Sequence, residues 1–151
     1  MSIKVAIVLE LLVSLREHLE RLRPFQAESL PDLTKDWVKW YALLHALQIL
    51  VEHVTDIGNY LLAGTGQKVP DDARIAIRQL GVSDIIPYDF AERIAPMTGF
   101  RNILVHEYLT VDPAIVYRVL QHGLDDIQQF AVYIEDYLRR EGHLPPAEPA
   151  A

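Results

Sequence analysis

Read for its apolar positions, the chain falls into long stretches with a helical period. Val5, Val8, Leu12, Leu15, Leu19 and Leu22 recur at steps of three and four and mark one face of a first helix, which Arg23-Pro24 closes. Pro31 then falls in a short linker. A second stripe runs through Trp40, Leu44, Leu47, Val51, Val54 and Leu61, with Gly58 at the missing step, and Gly64 and Gly66 stop it. A shorter helix over about Asp71 to Leu80 begins at an Asp pair and ends at Gly81. Pro87 suits the first turn of the next helix, where a missing N–H costs nothing. That helix is disturbed midway by Pro96 and Gly99. Asp112-Pro113 opens a last long helix with Val116, Leu120, Ile127, Phe130, Ile134 and Tyr137 on one face. No segment alternates with the period of a strand, and no internal repeat stands out. Each helix has a single apolar stripe, so each buries itself only against the others. The pattern predicts an all-α fold, an antiparallel up-and-down helical bundle. Residues 1–141 form one helical domain, and the Pro- and Ala-rich stretch 142–151, "GHLPPAEPAA", is expected to be a disordered tail.

Composition narrows the classes. A chain of 151 residues with 50% hydrophobic and 23% charged residues has the size and balance of one globular domain. Cysteine is absent, which removes disulfides, thiolate nucleophiles and Cys-based zinc sites. The apolar start is broken by Glu10 and Arg16 and is followed by no small-residue cleavage site, so it does not read as a secretion signal. The longest run without Asp, Glu, Lys or Arg, Trp40 to Val51, is far short of a membrane span. A cytoplasmic protein with no membrane contact is expected. The net charge of −7 argues against coating nucleic acid over the whole surface, since phosphate neutralisation drives such binding. Any contact with RNA belongs in a local basic cleft, and the acidity also suits a basic protein partner.

Candidate chemistry gathers in "GFRNILVHEYL", residues 99–109. Helical spacing puts Asn102 and His106 on one face, and Arg101 above Tyr108. Histidine accepts or donates a proton near neutrality, whereas arginine stays charged and grips phosphate oxygens with a rigid fork. A base beside a phosphate clamp is the minimum for cleaving RNA through its own 2′-hydroxyl, with no metal required. Asn102 is placed to orient His106 or the substrate, and Tyr108 to donate to a phosphate oxygen. A polar seam between helices accounts for the same residues equally well on residue chemistry alone.

"FRNILVHEY" resembles the Arg-Asn-x-x-x-His-x-Tyr signature of HEPN-domain proteins, specifically the HepT-like toxins paired with a minimal nucleotidyltransferase (MNT-type) antitoxin. The resemblance extends from about Trp40 to Leu138 and includes "ALQILVEHVTDIGNYLL" and "LDDIQQFAVYIEDYL". It implies an all-α bundle, usually a homodimer, with metal-independent endoribonuclease activity on RNA such as tRNA or mRNA, and no cofactor. Arg101 and His106 match the family's catalytic pair, Asn102 the polar residue after the arginine, and Tyr108 the closing tyrosine. The implied partner transfers a nucleoside monophosphate to a hydroxyl. That makes Tyr108 the expected site of AMPylation, where a new phosphate would occupy the fork of Arg101. Simple packing of Tyr108 at a helix end is the alternative. A catalytically silent HEPN module that docks a nucleotidyltransferase is the alternative function.

His45, Gln48, Glu52, Asp56 and Asn59 form a polar stripe on the second helix, ordinarily a solvated face. The resemblance sets this helix against the motif and gives Glu52 and Asp56 the task of orienting Arg101 or His106. His45, Glu52 and His53 lack metal-ligand spacing, so no metal site is expected. "LLAGTGQKVP" lacks the phosphate-loop register and reads as a helix stop. Trp37, Trp40 and Tyr41 read as core or dimer-interface aromatics.

Overall fold

The computed structural model describes residues 3–106 and 110–147, with His106 described by its backbone alone. In chain order the elements are α1 (Val5–Leu22), a 3-10 turn (Arg23–Ala27), α2 (Leu30–Lys35), α3 (Trp37–Gly64), α4 (Ala73–Val82) and α5 (Tyr88–Thr98). They are followed by α6 (Phe100–His106), α7 (Pro113–Arg118), a π-helical segment (Val119–Gly123) and α8 (Leu124–Arg140). The fold is an all-α bundle, and among the described residues there is no strand.

α3 is the spine and packs against α1, α2, α4, α5, α6 and α8. Its interior face carries Leu44, Leu47, Val51, Val54 and Leu61, all buried. α1 lays Val8, Leu12, Leu15, Leu19 and Leu22 on that face, while Ile127, Phe130 and Ile134 of α8 close the core from the other side. Arg16 and Glu135 pair across the α1–α8 contact. Among the described residues no helix is long and apolar enough to cross a membrane.

Several boundaries differ from those expected. Pro31 lies in the first turn of α2 rather than in a linker, because Ser29 caps that helix by accepting the Asp32 N–H at 3.2 Å. α3 starts at Trp37, a turn before the apolar stripe, since the Asp36 carboxylate accepts the Lys39 N–H at 3.1 Å. That extra turn projects beyond the core. Trp37 is 67% exposed and meets Tyr41 edge-on at 5.7 Å, while Trp40 is half-buried against the core. Of the three aromatics read as core or interface, Trp40 is the one packed on this chain's own core.

Gly81 does not end α4 but lies within it. A Cβ there would stand 2.6 Å from Ala91 Cβ and 3.2 Å from Tyr88 Cα, so the glycine serves the close approach of α5. Pro96 and Gly99 divide the motif helix into α5 and α6. The last helix runs from Pro113 to Arg140 through the π segment. There Gln26 Nε2 donates to the Leu120 carbonyl at 2.8 Å, an insertion into the helical ladder of the kind that accompanies such bulges. Of the stretch expected to be disordered, Gly142 (φ +78°) and His143 close α8, their N–H groups donating to the Arg139 and Leu138 carbonyls. Residues 148–151 lie outside the described residues.

Candidate functional site

α6 is short and owes its position to packing. Phe100 and Leu104, one turn apart, are buried and hold it against α3 and α5. Arg101 and Asn102 therefore point away from the core, and both are exposed. Arg101 Nε donates to Glu52 Oε1 of α3 at 3.2 Å, and Gln48 Nε2 donates to the same oxygen at 3.1 Å. The Arg101 and Glu52 side chains are 44% and 32% exposed, so the pair adds at most about 1 kcal/mol to stability. Its effect is orientation. Glu52 holds the guanidinium at Nε, and the remaining N–H groups have no partner among the described residues.

Arg101 and Glu52 line an open cleft of about 700 Å³ with Thr55, Asp56, Arg74 and Asn102 on its walls. Asp56 follows Glu52 by one turn. Loss of water around it, and then the Glu52 carboxylate, hold its pKa above the ordinary value, while His53 and Arg101 pull it the other way. His53 faces α1 instead, with Nε2 2.8 Å from Ser14 Oγ. Burial, with His18 adding to it, depresses its pKa.

Arg101, Asn102, Glu52 and Asp56, four of the residues singled out in the sequence, thus meet in one cleft. His106 is the last residue of α6, one turn beyond Asn102; its side chain lies outside the described residues, as do Glu107 and Tyr108. Among the described residues no group of three His, Cys, Asp or Glu side chains is placed to hold a metal. Sequence reasoning missed Arg74. It stands beside the Asp pair read there only as a helix cap, and nothing in its spacing announces that the start of α4 faces α6.

The all-helical bundle thus turns Arg101, the arginine of the Arg-x4-His motif, into a cleft between α3, α4 and α6. The family model for HepT-like ribonucleases matches residues 15–134, and the chain belongs to that family. It is 28% identical over 121 residues to the tRNA nuclease HepT of Aphanizomenon flos-aquae, covering 80% of this chain and 82% of that one. It is 24% identical over 124 residues to the mRNA nuclease HepT of Shewanella oneidensis, covering 82% of this chain and 92% of that one. Among solved structures, the cytosolic Bacillus subtilis protein YutE superposes with a TM-score of 0.80 at 20% identity, over 98% of this chain and 99% of its own. The tri-AMPylated Shewanella oneidensis HEPN toxin, in complex with its MNT antitoxin, superposes with a TM-score of 0.76 at 24% identity, over 86% and 97%.

Proposed function

We propose that this protein is the toxin of a toxin–antitoxin pair, an endoribonuclease that cuts RNA through the 2′-hydroxyl without a metal ion. The observation that carries the reading is Arg101, held by Glu52 at Nε and presented to the cleft, within the span 15–134 that the HepT-like family model matches. His106 removes the 2′-O–H proton, the 2′ oxygen attacks phosphorus, and the P–O5′ bond breaks, the 5′ oxygen taking a proton from water while His106 keeps the one it removed. The product ends are a 2′,3′-cyclic phosphate and a 5′-hydroxyl. Arg101 neutralises charge growing on the phosphoryl oxygens. Asn102 positions the substrate, and Glu52 with Asp56 behind it orients the arginine.

The chain acts as a homodimer in the cytoplasm, with two motifs near the axis, because one Arg-His pair is a sparse site and symmetry doubles it. Its antitoxin is an MNT-type nucleotidyltransferase that attaches AMP to Tyr108. The complex of the AMPylated Shewanella toxin with an MNT antitoxin supports that choice of partner.

Purified protein incubated with total RNA and tRNA in EDTA tests the chemistry. Cutting should persist and leave cyclic phosphate ends. Arg101→Ala should slow it by about a hundredfold or more, and His106→Ala by roughly a hundredfold to ten-thousandfold. Glu52→Gln, which keeps an acceptor but loses the charge, should fall between these and the parent. Activity that vanishes in EDTA and returns with magnesium would overturn the mechanism. No cutting under any condition, together with tight binding of the nucleotidyltransferase, would make the chain a silent docking module. Co-expression with the partner should raise the mass of the Tyr108 peptide by one or more AMP units. If Tyr108→Phe is toxic yet fully neutralised, the partner works by occlusion.

A further inference from the structure

Arg74 brings a second cation to the cleft that Arg101 lines. It sits in the first turn of α4, where Asp72 caps the helix by accepting the Arg74 backbone N–H at 2.8 Å. The same carboxylate takes Arg74 Nη2 at 3.2 Å and Nε at 3.4 Å. These contacts hold the Asp72 carboxyl below its ordinary pKa. The arginine stem passes over Gly99, the residue just before α6. A Cβ on Gly99 would lie 3.6 Å from Arg74 Cδ, in ordinary contact. Arg74 and Arg101 are thus presented alike. Each meets a single carboxylate, Arg74 through Nε and Nη2 and Arg101 through Nε, each side chain is about half exposed, and each lines the same cleft.

We propose that Arg74 forms a second phosphate-binding site, taking a phosphodiester of single-stranded RNA adjacent to the one that Arg101 holds. The inference rests on the ribonuclease reading. A guanidinium with open N–H donors matches a phosphate in geometry and charge, and prior fixing by Asp72 reduces the freedom lost on binding. The chain carries −7 overall, and Asp56 and Asp71 also line the cleft, so affinity for a polyanion has to come from cations placed at the cleft itself. Stability does not explain the arrangement. The cap bond runs from the backbone N–H and survives loss of the side chain, and an ion pair this exposed contributes little to the fold.

The test follows cleavage of a short single-stranded RNA by the full chain over a series of salt concentrations. The parent is compared with Arg74→Ala, Arg74→Lys and Arg78→Ala. Arg78 is the control: it pairs with Glu92 of α5 and does not line the cleft. Arg74→Ala should raise KM about tenfold while kcat stays within about twofold. The slope of log(kcat/KM) against log salt should become shallower by about 0.7, the loss of one phosphate contact on a single strand. Arg74→Lys should recover that slope but only part of KM, because lysine is a point charge without the fork. Arg78→Ala should change neither. The inference is overturned if Arg74→Ala leaves KM and slope unchanged, or if Arg78→Ala shifts them equally. Should the parent not cut RNA, the ribonuclease reading falls by itself. Fluorescence anisotropy of the same RNA, with parent and Arg74→Ala, then decides the site: binding weakened about tenfold supports it, and equal or absent binding by the two removes it.

Discussion

His53 meets α1 edge-on, its ring 6.0 Å from that of His18 at an interplanar angle of 85°. His18 Nδ1 lies 2.8 Å from the Ser14 carbonyl, which can only accept, so that nitrogen carries the proton. Nδ1 of His53 is buried with no partner among the described residues. Removal from water, and then the nearby His18, push the His53 pKa down; Asp56 and Glu52 oppose the shift without reversing it. Above the ordinary value of 6.5 the ring is neutral in both folded and unfolded chains, and the fold keeps its full stability. As pH falls below 6.5 the unfolded chain takes up a proton that the folded chain resists, and stability is lost. Thermal melts between about pH 7.5 and 5.5 should therefore show a falling Tm, above the range where most carboxylates titrate. His53→Gln should flatten that dependence whatever it does to Tm at neutral pH. An unchanged slope would move the effect to another group.

At the scale of the helices, the contact of α4 with α5 depends on Gly81. A methyl group would press on Ala91 Cβ at 2.6 Å and on the Tyr88 backbone at 3.2 Å, and backbone cannot yield as a flexible side chain does. Gly81→Ala should destabilise the protein by about 1–3 kcal/mol in denaturant melts, despite alanine's better helix propensity. A neutral or stabilising result would mean that α5 moves freely. The same residue illustrates what the sequence conveys. The stripes on α1, α3 and α8 were legible because burial repeats with the helical period, and their members are buried except Val5 and Trp40, which stand in the first turns of their helices and are half-buried. Boundaries were less legible. On local grounds Gly81 reads as a stop, but its reason is a neighbour in space. Pro31 and Trp37 moved inside helices because Ser29 and Asp36 provide caps that an apolar stripe does not register. Arg101 was legible through its motif. Arg74 was not, since its place depends on α4 beginning beside Gly99, a tertiary fact.

For the molecule as a whole, 21 acidic residues against 14 Lys and Arg pose a problem for binding RNA. Arg16, Arg23, Arg93 and Arg139 are engaged in pairs elsewhere, so the cleft's own cations are few. A two-fold partner would double the arginines near one substrate while the acidic surface stays outside. Light scattering at micromolar concentration should accordingly give about twice the 17.2 kDa chain mass. A monomer with full nuclease activity would show that one cleft suffices.

The early start of α3 has an optical consequence. The chain has two tryptophans, and both stand in the first turns of that helix, Trp37 largely in solvent and Trp40 half covered. Glu52 lies fifteen residues past Trp37, about 22 Å along the axis at the usual helical rise. Indole emission from the unlabelled protein therefore reports on one end of α3 and leaves the cleft dark. A quencher in solution reads directly whether a partner covers that end, while RNA held by the arginines leaves the signal as it was.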